Sequence, residues 1–189
     1  MVTGTNIDDL ALLGGDLALD FANTLVGPRD VPPDRDFVDS YADLVTWALR
    51  TGALPAGARP RGGDADLERA RALREAVFDV FAAHAAGSRP PAAALEAVLA
   101  AHVDAVREGT LEDGRWVWSG RHADRPVWPV AVAAVDLLRS DRLVRVKLCG
   151  ACRWLFLDRS RNRSRRWCTM DECGAQAKMR RYRAARRGG

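Results

Sequence analysis

The chain has no cysteine in its first 142 residues, no long apolar run and no basic leader. Each absence removes a class. No stretch approaches the ~18–20 apolar residues that a bilayer-spanning helix needs. Met1–Leu13 lacks a basic n-region and is interrupted by Asp8 and Asp9, so a signal peptide is not expected, and the expected location is the cytoplasm without membrane association. A cysteine-free body is not a disulfide scaffold. No serine nucleophile elbow, P-loop or glycine-rich dinucleotide loop is present, so no enzyme is expected.

What is present is unevenly distributed. The 189 residues carry net +4, with 48% hydrophobic and 29% charged residues. Residues 143–189 hold 14 Lys/Arg against 3 Asp/Glu, a net of +11, whereas residues 1–142 hold a net of −7. An acidic body is thus joined to a basic terminal piece, a polarity that suits a polyanionic partner at one end.

Hydrophobic periodicity divides the body, residues 1–142, into helices. Leu17, Phe21 and Leu25 share one face of a first helix over 16–25. A second runs over 37–50, with Asp36 as its cap, Tyr41, Leu44, Val45 and Ala48 as its buried stripe and Gly52 as its stop. The longest pattern covers 64–86, with Leu67, Ala70, Leu73, Val77 and Phe81 inward. A fourth covers 92–107, with Leu95, Val98, Leu99 and Val106 inward. Asp113-Gly114 marks a tight turn before Trp116-Val117-Trp118. Helix returns over 126–138. Leu143, Val144, Val146 and Leu148 then alternate with Arg145 and Lys147 as a strand. The expected class is α+β: a mainly helical body with a short antiparallel β element, then a small finger.

All four cysteines lie in the terminal piece, as Cys149-x2-Cys152-x15-Cys168-x4-Cys173. Two close pairs suit one tetrahedral Zn²⁺, each pair offering two thiolates from one tight turn. Gly150 sits inside the first pair, where amides must turn toward the sulfurs. A redox CxxC normally adjoins a βαβ pattern, which is missing here. Four protein ligands leave no open position, so the metal is structural, and a module of under 50 residues generally needs one. Trp154 to Leu157 suit a hairpin with a small core of its own, and the run after Cys173-Gly174 suits a helix to about Arg187, a treble-clef-like order.

Between the cysteine pairs, Arg159, Arg161, Arg163 and Arg165 alternate and would share one face of an extended arm, with Arg166 beside them. Lys178, Arg180, Arg181, Arg183 and Arg187 populate the final helix. Arginine suits phosphate and guanine because its planar fork bonds bidentately, and Trp167 and Tyr182 could stack on bases. The alternative is a solvated basic face. About +9 remains, however, after a zinc tetrathiolate is counted, which favours nucleic acid. Charge alone does not separate DNA from RNA.

In the body, Asp16, Asp20 and Asn23 form a polar stripe opposite Leu17 and Phe21. It is either a solvated face, or a place where Asp20, Asn23 and Thr24 bind a polar ligand or brace a neighbouring loop. His84 and His102, near apolar stripes, read as core residues, as do Trp116, Trp118 and Trp128. A nucleic-acid enzyme would need carboxylates near the finger, where only Asp158, Asp171 and Glu172 are available.

The stretches 148–160 and 165–170, then Cys173-Gly174 and 178–182, resemble the CGNR zinc-finger family. Gly14-Gly15, 19–24, the stretch from Asp43 to Trp47 and the Trp116–Trp118 strand resemble the ABATE domain that commonly precedes that finger. The resemblance implies a stress-linked transcription regulator whose finger binds DNA and whose body senses a small molecule. Effector binding would then alter homodimerisation or finger orientation. The other reading is an RNA- or ribosome-associated protein whose body makes protein contacts. The chain departs from the family's Cys-Gly-Asn-Arg at Ala175-Gln176. The ligands are retained, and affinity or sequence preference is expected to differ.

Overall fold

A computed structural model describes residues 6–29 and 31–187; the side chains of Arg181, Ala184, Ala185 and Arg187 lie outside the described ones. The helices are α1 (Leu17–Ala22), α2 (Tyr41–Thr51), α3 (Asp64–Ala85), α4 (Ala92–Glu108), α5 (Trp128–Arg139) and α6 (Ala175–Arg187). Three two-stranded antiparallel ribbons accompany them: β1 (Leu25–Val26) with β2 (Arg35–Asp36), β3 (Thr110–Glu112) with β4 (Arg115–Val117), and β5 (Val146–Leu148) with β6 (Leu155–Leu157). The α+β class is as expected.

Helix α3 is the central post. Leu67, Ala70, Leu73, Val77 and Phe81 are buried along it, and α1, α4 and the β5–β6 ribbon pack around it. Four local expectations are corrected. α1 stops at Ala22, because Leu25 and Val26 pair with Asp36 and Arg35 instead of completing another turn. The cap of α2 is Ser40, whose side chain accepts from Asp43 N while Asp43 accepts from Ser40 N. Asp36 instead takes a two-pronged bond from the buried Arg74 guanidinium at 2.6 and 2.8 Å, which pins β2 to α3. Leu99 is 43% exposed, because the inner stripe of α4 is Ala94, Val98 and Ala105. Leu143 and Val144 lie in a 3-10 turn (Asp141–Arg145), so the strand begins at Val146.

The turn at Asp113-Gly114 has φ of 46° and 75° and closes the β3–β4 hairpin, the geometry that a two-residue hairpin loop requires. Behind it, Trp118 donates Nε1–H to Ala105 O and sits beside Trp116 and Trp128 in a small cluster with Ala105 and Val132.

The feature that positions the site is β6. Side chains alternate across a strand. Leu155 and Leu157, with Trp154 and Val146, join the core of the body. Phe156 points the other way and packs among the cysteines. The apolar core therefore crosses from residues 1–142 into the terminal piece, and Trp154–Leu157 do not form a separate small core. Three hydrogen bonds to backbone fix the junction. The fully buried Asn23 donates Nδ2–H to Leu155 O at 2.8 Å and accepts Leu155 N–H at 2.9 Å. Leu157 N–H donates to Gly14 O at 2.9 Å. A Cβ at Gly14 would lie 2.8 Å from Asp20 N and from Leu19 Cβ, so this close approach requires glycine.

Asn23→Ala leaves a buried N–H and C=O of Leu155 without partners. It is expected to cost on the order of 2–4 kcal/mol in urea unfolding, with body and finger signals lost in one transition.

Candidate metal centre and nucleic-acid interface

The four cysteines converge. Their sulfurs all lie within 4.8 Å of one another, with Cys152–Cys168 and Cys168–Cys173 separations of 3.6 Å. A tetrahedral zinc with Zn–S near 2.3 Å sets sulfurs about 3.8 Å apart, so the donor set fits the ion. Hydrogen bonds from Cys152 and Cys168 pull the Cys149 thiol far down. The same contacts push Cys152 up to about 12 and Cys168 upward as well. Four sulfurs this close ionise together only when a divalent charge shares the space.

Local geometry delivers each ligand. Cys149 and Cys152 lie on the turn that joins β5 to β6, closed by Cys149 N–H to Trp154 O (2.8 Å) and Arg153 N–H to Cys149 O (3.1 Å). The left-handed residue of this turn is Arg153, at φ 67°. Gly150 contributes an N–H to Arg166 O instead. Cys168 N–H points at Cys149 Sγ at 3.5 Å. Cys173 sits in a wide turn (Met170–Gly174) whose last two residues are held by Thr169: its Oγ1 accepts Cys173 N–H and its carbonyl accepts Gly174 N–H. Helix α6 follows directly, so the metal fixes where it begins.

The arginine-rich segment departs from the extended arm. Residues 159–167 form a loop, with Arg163 left-handed at φ 49°, which breaks the alternation. Its organiser is Asp158, which is fully buried. That carboxylate accepts Ser160 N–H (2.9 Å), Arg165 N–H (2.8 Å) and Lys147 Nζ (2.9 Å). Burial opposes its ionisation, but these donors outweigh burial and hold it well below the usual carboxylate range. Lys147 also donates to the Arg163 and Arg165 carbonyls. A buried charge needs such a full set of partners, so the loop closes over it. The signal for this role was the lone Asp in a basic run, directly after an apolar triplet.

The arginines then divide. Arg165 lies over the Phe156 ring at 5.2 Å and donates to Cys168 O, so its guanidinium is committed inside the finger. Arg159 donates to Gly15 O at 3.2 Å. Arg159, Arg161, Arg163 and Arg166 are exposed on the loop, and Lys178, Arg180, Arg183 and Arg186 on α6. Tyr182 is 57% exposed beside Arg186. The side chains of Arg181 and Arg187 fall outside the described ones. Ala175 and Gln176 are both exposed in the first turn of α6.

In the body, the candidate ligand residues are all occupied by hydrogen bonds within the protein, and Asn23 spans the junction. Asn23 is occupied by Leu155. Thr24 Oγ1 donates to Phe21 O and accepts from Arg74. Asp20 accepts Gly14 N–H at 2.8 Å. Burial raises the Asp20 carboxyl to about 6, against the opposing Gly14 bond.

Fold and site together define a zinc-finger protein: one structural Zn²⁺ held by Cys149, Cys152, Cys168 and Cys173, on a hairpin shared with a helical body. The ABATE model, described as "Putative stress-induced transcription regulator", matches residues 15–141, and the CGNR zinc finger model matches residues 145–186. The chain belongs to the ABATE family and carries a CGNR zinc finger. No curated protein matches it significantly. Among the described residues, no helix is long and apolar enough to cross a membrane.

Two predictions follow from the carboxylates. Asp158→Ala strands Lys147 and the loop amides, at an expected cost of about 3–5 kcal/mol in chemical unfolding. Asp20 has the opposite sign. Its folded value, about 6, lies above the ordinary 3.8, so its favourable contribution is fully present below about pH 4 and is lost as pH rises through 6. Asp20→Asn keeps the Gly14 acceptor. Its stability gain over wild type should grow between about pH 4 and 6, to on the order of 3 kcal/mol, and then level off in a urea series.

Proposed function

We propose that the chain is a DNA-binding transcription regulator, not an enzyme, that works in the cytoplasm with a small-molecule-sensing body. The observation that carries this reading is the cationic array. Eight Arg and Lys side chains stand exposed on a loop and a helix whose positions are set by the same four-sulfur centre. A positive array of fixed geometry offers phosphates several simultaneous contacts at little ordering cost.

The division among the arginines gives them different roles. Arg161, Arg163 and Arg166 on the loop, with Arg180 and Arg183 on α6, are the phosphate and base partners. Arg165 is a frame residue. Sensing would act through the junction: Asn23 bonds β6 directly, Asp20 holds Gly14, which bonds Leu157, and the adjacent Thr24 ties the end of α1 to Arg74 of α3. An effector that displaces any of their hydrogen bonds shifts the finger between two arrangements with different DNA affinity. The reducing cytoplasm suits four free thiolates.

Selection from a random duplex pool, with an RNA pool alongside, tests the class of partner. An enriched duplex motif is expected; equal or stronger RNA enrichment would favour an RNA-binding role. On the selected duplex, Arg180→Ala with Arg183→Ala should reduce the steepness of the log–log salt dependence by about 2. Arg165→Ala should instead lower finger stability and leave that slope nearly unchanged when measured on the folded, zinc-loaded fraction.

A further inference from the structure

Where α3, α4 and the start of α5 meet, the body carries a pocket of about 300 Å³. It is lined by none of Asp20, Asn23, Thr24 or the four cysteines. Leu73, Val127 and Trp128, all buried, form its floor. Its sides are three alanines, Ala72 of α3 and Ala97 and Ala101 of α4. Side chains of packed helices normally interdigitate and cover such a floor. Three methyl groups do not reach across, so a gap remains between the helices. Its volume lies at the lower end of the range for small-molecule pockets, and its make-up, apolar with a few polar groups, is typical of them.

Three charged side chains complete the lining, and they are not equivalent. Arg69 is already committed: its Nη2 donates to Asp66 at 2.5 Å and to Asp124 at 3.2 Å, and its Nη1 donates to Ala65 O. Arg69 takes Oδ1 of Asp124. The nearest cationic candidate to Oδ2 is His122 Nδ1, 3.9 Å away, so this oxygen keeps its capacity as an acceptor. Asp104 faces Arg107 at 3.7 Å, and both side chains are largely exposed, so that pair contributes little. Asp66, Arg69 and Asp124 together leave one negative charge, and Asp104 adds a second that is weakly countered. An apolar pocket with a negative mouth selects against anions. An anionic head group would face two carboxylates and would have to draw Arg69 away from both its partners.

We propose that this pocket binds a small primary ammonium compound with one apolar ring, of the arylethylamine class. The ring lies on Val127 and Trp128 between the alanines, and the ammonium group sits between Asp104 and Asp124. Such an occupant touches three helices at once. Helix α5 packs on α1, and α1 ends at Asn23, the residue that holds β6. Transmission to the finger along that route rests on the sensing role proposed above; binding of the amine does not.

The test titrates the zinc-loaded full chain with phenethylammonium, phenethyl alcohol and hydrocinnamate, which share a ring and differ in head-group charge. Backbone amide shifts are followed by NMR and should centre on Ala72, Ala101 and Val127. The amine should bind about tenfold more tightly than the alcohol, and the carboxylate more weakly than either. Asp104→Asn should shrink the advantage of the amine over the alcohol about threefold. Ala101→Leu fills the gap and should weaken amine binding about fivefold or more with zinc content unchanged. Ala97→Leu, at an exposed position, serves the same purpose if Ala101→Leu does not retain zinc. Equal affinity for all three compounds, tighter binding of the carboxylate, shifts centred elsewhere or no saturable shift would each overturn the proposal, as would full binding in the alanine variants. Duplex affinity with and without the amine is a separate readout: an unchanged value with the amine bound counts against sensing and leaves the pocket's occupant standing.

Discussion

Convergence of four sulfurs from two distant turns is the constraint on which the terminal quarter of the molecule depends. Between strand β6 and Cys168 lies a loop of irregular backbone, rich in like charges and poor in apolar side chains. Such a segment has little to bury and much repulsion to overcome. The metal draws its two ends together, and Asp158 supplies an internal counter-charge for the residues between. Two electrostatic anchors, one a cation among thiolates and one an anion among N–H donors, thus hold a cationic surface that would otherwise spread apart.

Strand β6 gives this arrangement a second function. Because its two faces bury against different partners, Leu155 and Leu157 against the body and Phe156 against the cysteines, body and finger share one wall. The polar groups at this wall are spent on backbone: Asn23 on both main-chain atoms of Leu155, and Gly14 on Leu157. A side-chain amide that imitates a neighbouring strand is directional, so it fixes register as well as contact. Orientation of the basic surface is therefore set by residues flanking α1 that lie over 120 positions away in sequence.

Much of this was legible in the sequence, and the parts that were not share a cause. The cysteine spacing specified the metal, and helical periods located α2 to α5 within a few residues, because both signals are local and strong. The caps and ends were less secure. Asp36 carries the side chain of a helix cap, but the buried Arg74 competes for it and wins, leaving Ser40 to cap α2. The alternation of Arg159, Arg161, Arg163 and Arg165 suggested an extended arm, yet the tertiary pull of Asp158 curls it and removes Arg165 from the surface. The polar stripe of α1 left open a choice between solvent, ligand and brace. Periodicity cannot tell a face that meets water from one that meets another strand's backbone, and Asn23 meets the latter. Each difference is a case of a distant partner outbidding a local preference.

The account stands on the identity and completeness of the metal's donor set. Zinc K-edge X-ray absorption on the purified chain, paired with metal stoichiometry by native mass spectrometry, tests this directly. One zinc per chain with four sulfur neighbours near 2.3 Å is predicted. A substoichiometric metal, or a nitrogen or oxygen neighbour in place of a sulfur, would contradict it.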